Sequence, residues 1–311
     1  MQPDAIAVSG LRFEYPGVVA LDDVSFAVGR GSVTALVGPN GAGKTTLLHC
    51  LAGLDRPLLG GVQVAGIDVL EEPRRAHERI GYLSDFYGLY DSLTVAQCLA
   101  HAAAARGVAA DRIAATVERT AGRLEIADLL ARRCGELSRG QRQRVAIGQA
   151  LVHSPEVLLL DEPASGLDPE ARHLLAGLFT RLQSEGMTLL VSSHILAELD
   201  EYSTHMLVLR EGRVIEHRAL APGASEEHRV RVGFARAVPD LAQKLAGVES
   251  MRLLALEERE ALIAVAGGEG AQALVLRALI ARELPVASYA PEREDLHASY
   301  LRTVRAAREA Q

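Results

Sequence analysis

Lysine is almost missing from this 311-residue chain: of 33 basic residues only Lys44 and Lys244 are lysine, and the rest are arginine. Wherever a generic positive charge serves, the guanidinium is used, so Lys44 marks a place that requires a compact ammonium on a flexible stem. Cysteine is also sparse. Cys50, Cys98 and Cys134 are widely spaced, which excludes a disulfide framework or a clustered metal site and predicts ordinary reduced thiols. No apolar run approaches the roughly 20 residues of a membrane-spanning helix. The best candidates, 157–160 and 187–191, suit buried strands instead. Met1, Gln2, Pro3 and Asp4 lack the basic-then-apolar layout of a signal peptide, so a cytoplasmic chain is expected. An excess of positive charge is missing too, and a net charge of −7 argues against a dedicated nucleic-acid binder.

What is present is apolar sequence, at 49% of residues, enough for a large core. Residues 1–222 alternate short apolar strands with amphipathic helices, the pattern of an α/β architecture. Strands are expected at 6–8, 33–37, 157–160 and 188–191, with a hairpin of 206–210 and 213–216 turned at Glu211 and Gly212. Between 94 and 130 alanine-rich helical sequence takes over, predicting a helical subdomain at about 90–150. Pro222 and Gly223 begin a linker, so a second domain is expected over 223–311. There, strands at 229–234, 250–256, 261–266 and 285–289 alternate with helices at 238–245 and 270–282, before a last helix at 295–307. The first six elements spell βαββαβ, the ferredoxin-like order, giving a small α+β domain.

The residues Gly38, Pro39, Asn40, Gly41, Ala42, Gly43, Lys44 and Thr45 fit the phosphate-loop pattern, between an apolar strand and a helix beginning at Thr46. Glycines let successive backbone N–H groups curl around phosphates, and the helix N-terminus adds partial positive charge. Lys44 is suited to the β- and γ-phosphates, and the Thr45 hydroxyl to Mg²⁺. The strand at 158–160 ends in Asp161 and Glu162. Asp161 would hold Mg²⁺ through water, and Glu162 would orient or deprotonate an attacking water. Ser138 and Gln141 have capping-box spacing and predict a helix start. Besides capping, that start can offer a hydroxyl, backbone N–H groups and a positive helix end to a phosphate.

Together these motifs resemble the nucleotide-binding domain of ABC transporters over about residues 4–220. The segment from Gly38 to Thr45 is similar to Walker A and that from Leu158 to Glu162 to Walker B. Leu137, Ser138, Arg139, Gly140 and Gln141 resemble the LSGGQ signature, with Arg139 at its variable third position. The resemblance implies a P-loop ABC-ATPase core of RecA-like α/β type, with an antiparallel β subdomain and an inserted helical subdomain. It implies that Tyr15 stacks on adenine, unless it is an ordinary core aromatic, and that residues 38–46, including Thr46, bind ATP. Ser138, Gly140 and Gln141 would contact the ATP of a second copy. Asp168, in Ser165-Gly166-Leu167-Asp168, is similar to the D-loop residue that communicates across the dimer, although it could equally close a turn. His194 is similar to the switch histidine, making Glu162, His194 and Lys44 the implied catalytic set.

One position departs from the family pattern. Where a Q-loop glutamine is usual, this chain has Asp85. A carboxylate can still hold Mg²⁺-bound water, so Thr45, Asp161 and Asp85 are the expected metal residues. Tyr82, Phe86, Tyr87 and Tyr90 gather four of only twelve aromatics within nine residues. They suit either docking of a membrane subunit or packing between core and helical subdomain. The resemblance thus implies a homodimeric ATPase using ATP and Mg²⁺, peripheral on the cytoplasmic face of the membrane, bound to an integral membrane permease. The α+β extension and the ending from Glu294 to Leu301 resemble ABC-2-type exporter ATPases. The alternative is a non-transport ABC ATPase acting as a regulatory or assembly module.

Overall fold

The computed structural model describes residues 4–85, 88–193, 199, 201–220, 227–248, 250–266 and 269–291. Two compact units divide the chain, one built on Met1–Ala219 and the other on Leu220–Asp295.

The first unit opens with the hairpin β1 (Ile6–Tyr15) and β2 (Val18–Val28). On β1 the period-two burial of Ile6 and Val8 slips at an irregularity in pairing before Leu11. β3 (Val33–Val37) is buried along its whole length and leads into α1 (Lys44–Leu51). β4 (Leu59–Val64) and β5 (Ile67–Asp68) return to the hairpin, and the short α2 (Pro73–His77) precedes β6 (Ile80–Leu83). The helical segment holds α3 (Val95–Ala105), α4 (Ile113–Arg123) and α5 (Arg139–Leu151). Reciprocal capping boxes, Thr94 with Gln97 and Ser138 with Gln141, set the starts of α3 and α5. β7 (Val157–Leu160), α6 (Pro169–Ser184), β8 (Thr188–Ser193), β9 (His205–Arg210) and β10 (Arg213–Ala219) complete the unit.

Two sheets result. The first, in order β2-β1-β4-β5, is antiparallel. In the second, β10-β9-β3-β8-β7-β6, five strands run parallel and only β10 is antiparallel. Parallel strands covered on both faces read as continuous apolar runs, which is why 33–37 and 157–160 are legible as strands. α1 lies in the core shared by the two sheets. Its Leu47, Leu48 and Leu51 are fully buried with Ile6, Leu21 and Val62 of one sheet and Leu36, Leu159 and Leu190 of the other. Each such leucine contributes about 1.5–3 kcal/mol of burial free energy. The loop that begins α1 is therefore anchored by a core to which both sheets contribute.

The second unit holds β11 (Glu227–Phe234), the short α7 (Leu241–Leu245), β12 (Met251–Leu256), β13 (Glu260–Ala266), α8 (Glu269–Ala281) and β14 (Val286–Pro291). Its sheet is antiparallel in the order β12-β13-β11-β14, the ferredoxin-like arrangement that the βαββαβ pattern predicts. Val230, Val232, Ile263 and Val265 of the sheet bury against Leu245, Val275 and Leu279 of the helices. α7 starts three residues later than the expected 238, because Pro239 is followed by Asp240 with a left-handed φ of 53°. The expected helix at 295–307, the linker at Pro222 and Gly223, and the segment from Glu294 to Leu301 lie outside the described residues.

Candidate active site

In an open parallel sheet, ligands sit at the carboxyl ends of the strands. At that end β3 carries the 38–45 loop, β7 carries Asp161 and Glu162, and β8, between them, carries Ser192 and Ser193. Two of the loop's glycines leave no room for a side chain. A Cβ at Gly38 would stand 2.2 Å from the Leu209 carbonyl oxygen, and at Gly43, where φ is 101°, 2.6 Å from that of Ala20. Ala42 N–H donates to the Pro39 carbonyl at 3.1 Å, closing the turn through Asn40 and Gly41. Lys44, only 7% exposed, donates from Nζ to the Gly38 carbonyl at 2.8 Å and lies 3.8 Å from Glu162 Oε1. The sole lysine of the unit thus sits inside the loop, with its charge facing the acid of β7.

The acids are wired together by hydroxyls. Thr45 Oγ1 donates to Asp161 Oδ2 at 2.7 Å, and Ser192 Oγ donates to Asp161 Oδ1 at 2.6 Å. Ser192 Oγ also accepts from the Glu162 backbone N–H at 2.9 Å. Ser192 is fully buried and its hydroxyl is used twice. The sequence motifs do not single it out; the available signal is a pair of small polar residues ending an otherwise apolar strand. Glu162 has a φ of 46°, which costs a non-glycine residue about 1–2 kcal/mol. That turn brings its carboxylate to a cleft of about 520 Å³ lined by Tyr15, Asn40, Lys44, Thr45, Asp85 and Glu162, among others.

Tyr15 is 45% exposed at this cleft beside the exposed Val18 and Val19. Its ring meets Phe13 edge-on at 5.0 Å, and its hydroxyl is 3.4 Å from Thr46 Oγ1. This is a propped, open aromatic platform rather than core packing. Tyr82 lies behind the acids, where its hydroxyl is buried without a hydrogen-bond partner among the described residues. Burial first, and then the carboxylates of Asp161, Asp55 and Asp85, raise its pKa and keep the phenol neutral.

The residues present fit Mg²⁺. Thr45 and Asp161 supply hard oxygen donors in hydrogen-bond contact, and Asp85 and Glu162 share the same cleft. No group of three or more His, Cys, Asp or Glu side chains forms a metal cage among the described residues.

Comparison with known proteins gives the family. The ABC transporter family profile matches residues 21–165. The ABC transporter ATP-binding protein NatA of Bacillus subtilis (strain 168) is 37% identical over 204 residues, covering 65% of this chain and 83% of that protein. The chain belongs to the ABC transporter family. Within the family it is an ATP-binding subunit whose activity is ATP hydrolysis coupled to transport. Nod factor export ATP-binding protein I of Burkholderia thailandensis is 36% identical over 205 residues, 66% of this chain and 67% of that protein. Methionine import ATP-binding protein MetN 2 of Shouchella clausii is 38% identical over 207 residues, 64% of this chain and 60% of that protein. A solved structure of an ATP-binding subunit of an ABC transporter superposes with a TM-score of 0.62 at 30% identity, covering 70% of this chain and 90% of that one.

Not every ABC motif reaches the cleft. Ser138, Gly140 and Gln141 form the first turn of α5, where Ser138 Oγ accepts from Gln141 N–H at 3.3 Å, and none of them lines the cleft. Asp168 caps α6, accepting from Ala171 N–H at 2.8 Å. Of the aromatic group, Tyr90 is 63% exposed, whereas Phe86 and Tyr87, like His194, lie outside the described residues. No helix among the described residues is long and apolar enough to cross a membrane.

Proposed function

We propose that this subunit works as a homodimer with two composite ATP sites, peripheral on the cytoplasmic face of the membrane, driving an integral membrane permease of the ABC-2 exporter type. The observation that carries the dimer is the incomplete cleft: the phosphate loop, Asp161 and Glu162 stand together, while Ser138, Gly140 and Gln141 of the same chain lie elsewhere. A second copy would supply them to the open side of the phosphates. Tyr15 stacks on adenine, the 38–46 segment cradles the phosphates, and Lys44 neutralises the β- and γ-oxygens. Thr45, Asp161 and Asp85 would hold Mg²⁺, which supplies further neutralisation of phosphate charge. Glu162 orients and deprotonates the attacking water, His194 contacts the γ-phosphate, and Asp168 communicates between copies. Export is supported by the relatives of the Nod factor exporter type, of which this chain covers 67%, against 60% of the methionine importer.

Glu162→Gln should bind ATP and accumulate as a closed dimer, visible by light scattering, with turnover reduced about 10²–10⁴-fold. Rapid turnover by that variant would remove Glu162 as the base. Capture of a membrane protein of about six spans, long enough to cross at roughly 20 residues each, supports the permease. ATP-driven accumulation of its cargo in inside-out vesicles supports export; accumulation only in right-side-out vesicles would reverse the direction.

A further inference from the structure

The third signature position holds Arg139, an exposed guanidinium with no hydrogen bond or ion pair among the described residues. It is nevertheless placed. A Cβ built at Gly166 would lie 2.4 Å from each of Cζ, Nη1 and Nη2 of Arg139. Equal distances to all three atoms, each well beyond an N–C bond length, put that point above the guanidinium plane rather than at its edge. The flat group therefore stacks on Gly166, where an added Cβ would displace it and where a φ of 66° favours glycine. The next signature residue makes a parallel contact: a Cβ at Gly140 would be 2.8 Å from Ala171 Cβ, and Ala171 N–H is the group Asp168 caps. From Gly166 the path to the chemistry is short. Ser165 N–H donates to the Glu162 carbonyl at 3.0 Å, and Ser165 itself lines the cleft.

We propose that Arg139 is a positioning residue: by stacking on Gly166 it holds the 165–166 turn, and through that turn the strained backbone of Glu162, in the hydrolytic geometry. A flat, weakly hydrated guanidinium suits this task, whereas an ammonium does not. The inference deepens the composite-site reading. The first turn of α5, which faces the second copy's ATP, is mechanically tied to the hydrolytic acid of its own chain. Occupancy of one site is thereby felt at the other.

The experiment measures kcat and KM for ATP in the wild type and in Arg139→Ala, Arg139→Lys and Arg139→Gln. Thermal unfolding confirms that all four are folded. Removing the clamp lets Glu162 shift, so Arg139→Ala should lower kcat on the order of tenfold with KM nearly unchanged. Arg139→Gln, planar and uncharged, should recover most of kcat, and Arg139→Lys, charged but not planar, should not. Recovery by lysine and not by glutamine would overturn the proposal in favour of a direct charge contact with phosphate. Wild-type kcat in all three variants, or a rise in KM alone, would overturn it as well. Failure of Glu162→Gln to dimerise would count against the composite site, while the kcat split among the Arg139 variants is read in either case.

Discussion

Asp161 is the most constrained side chain of the site, 2% exposed and held by one hydroxyl on each oxygen. Its two donors differ in kind. Thr45 sits in the phosphate loop and can turn to a metal ion, whereas Ser192 is a fixed strut that also takes the Glu162 N–H. Removing the strut strands a buried acceptor and a backbone donor together, at about 1–3 kcal/mol for each group left unpaired. Ser192→Ala should therefore keep nucleotide binding yet lose on the order of tenfold or more in kcat, because both acids lose their register. Binding measured with a fluorescent ATP analogue, set against steady-state turnover, separates the two effects. The sequence announced Asp161 and Glu162 through their place after an apolar strand. Ser192 became a site residue only when β8 was inserted between β3 and β7.

At the scale of elements, the decisive unit is β3, its loop and α1. Its strand is legible because it is buried on both faces, and its loop because Gly38, Gly41 and Gly43 fall in one short stretch of the chain. Gly43→Ala tests the geometry directly. An added Cβ meets the Ala20 carbonyl oxygen at 2.6 Å in a backbone with φ of 101°, so the loop must open. ATP affinity should fall more than tenfold, a loss above 1.4 kcal/mol, by isothermal calorimetry, with the fold intact by circular dichroism. The antiparallel elements were harder to read. β2, β4 and β5 were expected only through the family resemblance, since the pairing of β1 slips at several points and β4 opens with Gly60 and Gly61 inside its strand. An irregular register blurs the period-two pattern that marks a half-buried strand.

For the whole molecule, each unit has a core of its own, and the described histidines whose protonation burial opposes lie in the first. His153, His205 and His217 all have pKa values lowered by burial, with Arg106 adding to the effect at His153 and His205 at His217. The folded state thus binds these protons less readily than the unfolded chain. Stability is fully present above the unfolded histidine pKa of about 6.5 and is lost as pH falls through the lower folded values. Denaturant midpoints should drop between pH 7.5 and pH 5.5. The slope should flatten when His205 and His217, whose rings lie 6.4 Å apart, are replaced by glutamine.

The phosphate loop, the helix cap at Ser138, the strand that ends in two acids and the α+β order of the second unit were all determined by sequence alone. Each depends on neighbours along the chain: glycines that free φ, a hydroxyl three residues before an amide, apolar residues covered on both faces. What the tertiary structure decided is which distant residues meet. Strand order brought Ser192 to Asp161, and the bend at Glu162 brought its carboxylate to Lys44. The close approach of α5 to the 165–171 segment set Arg139 flat on Gly166. These meetings follow from sheet order and helix packing, which no local pattern encodes. They bring the phosphate loop together with the two acids that follow β7.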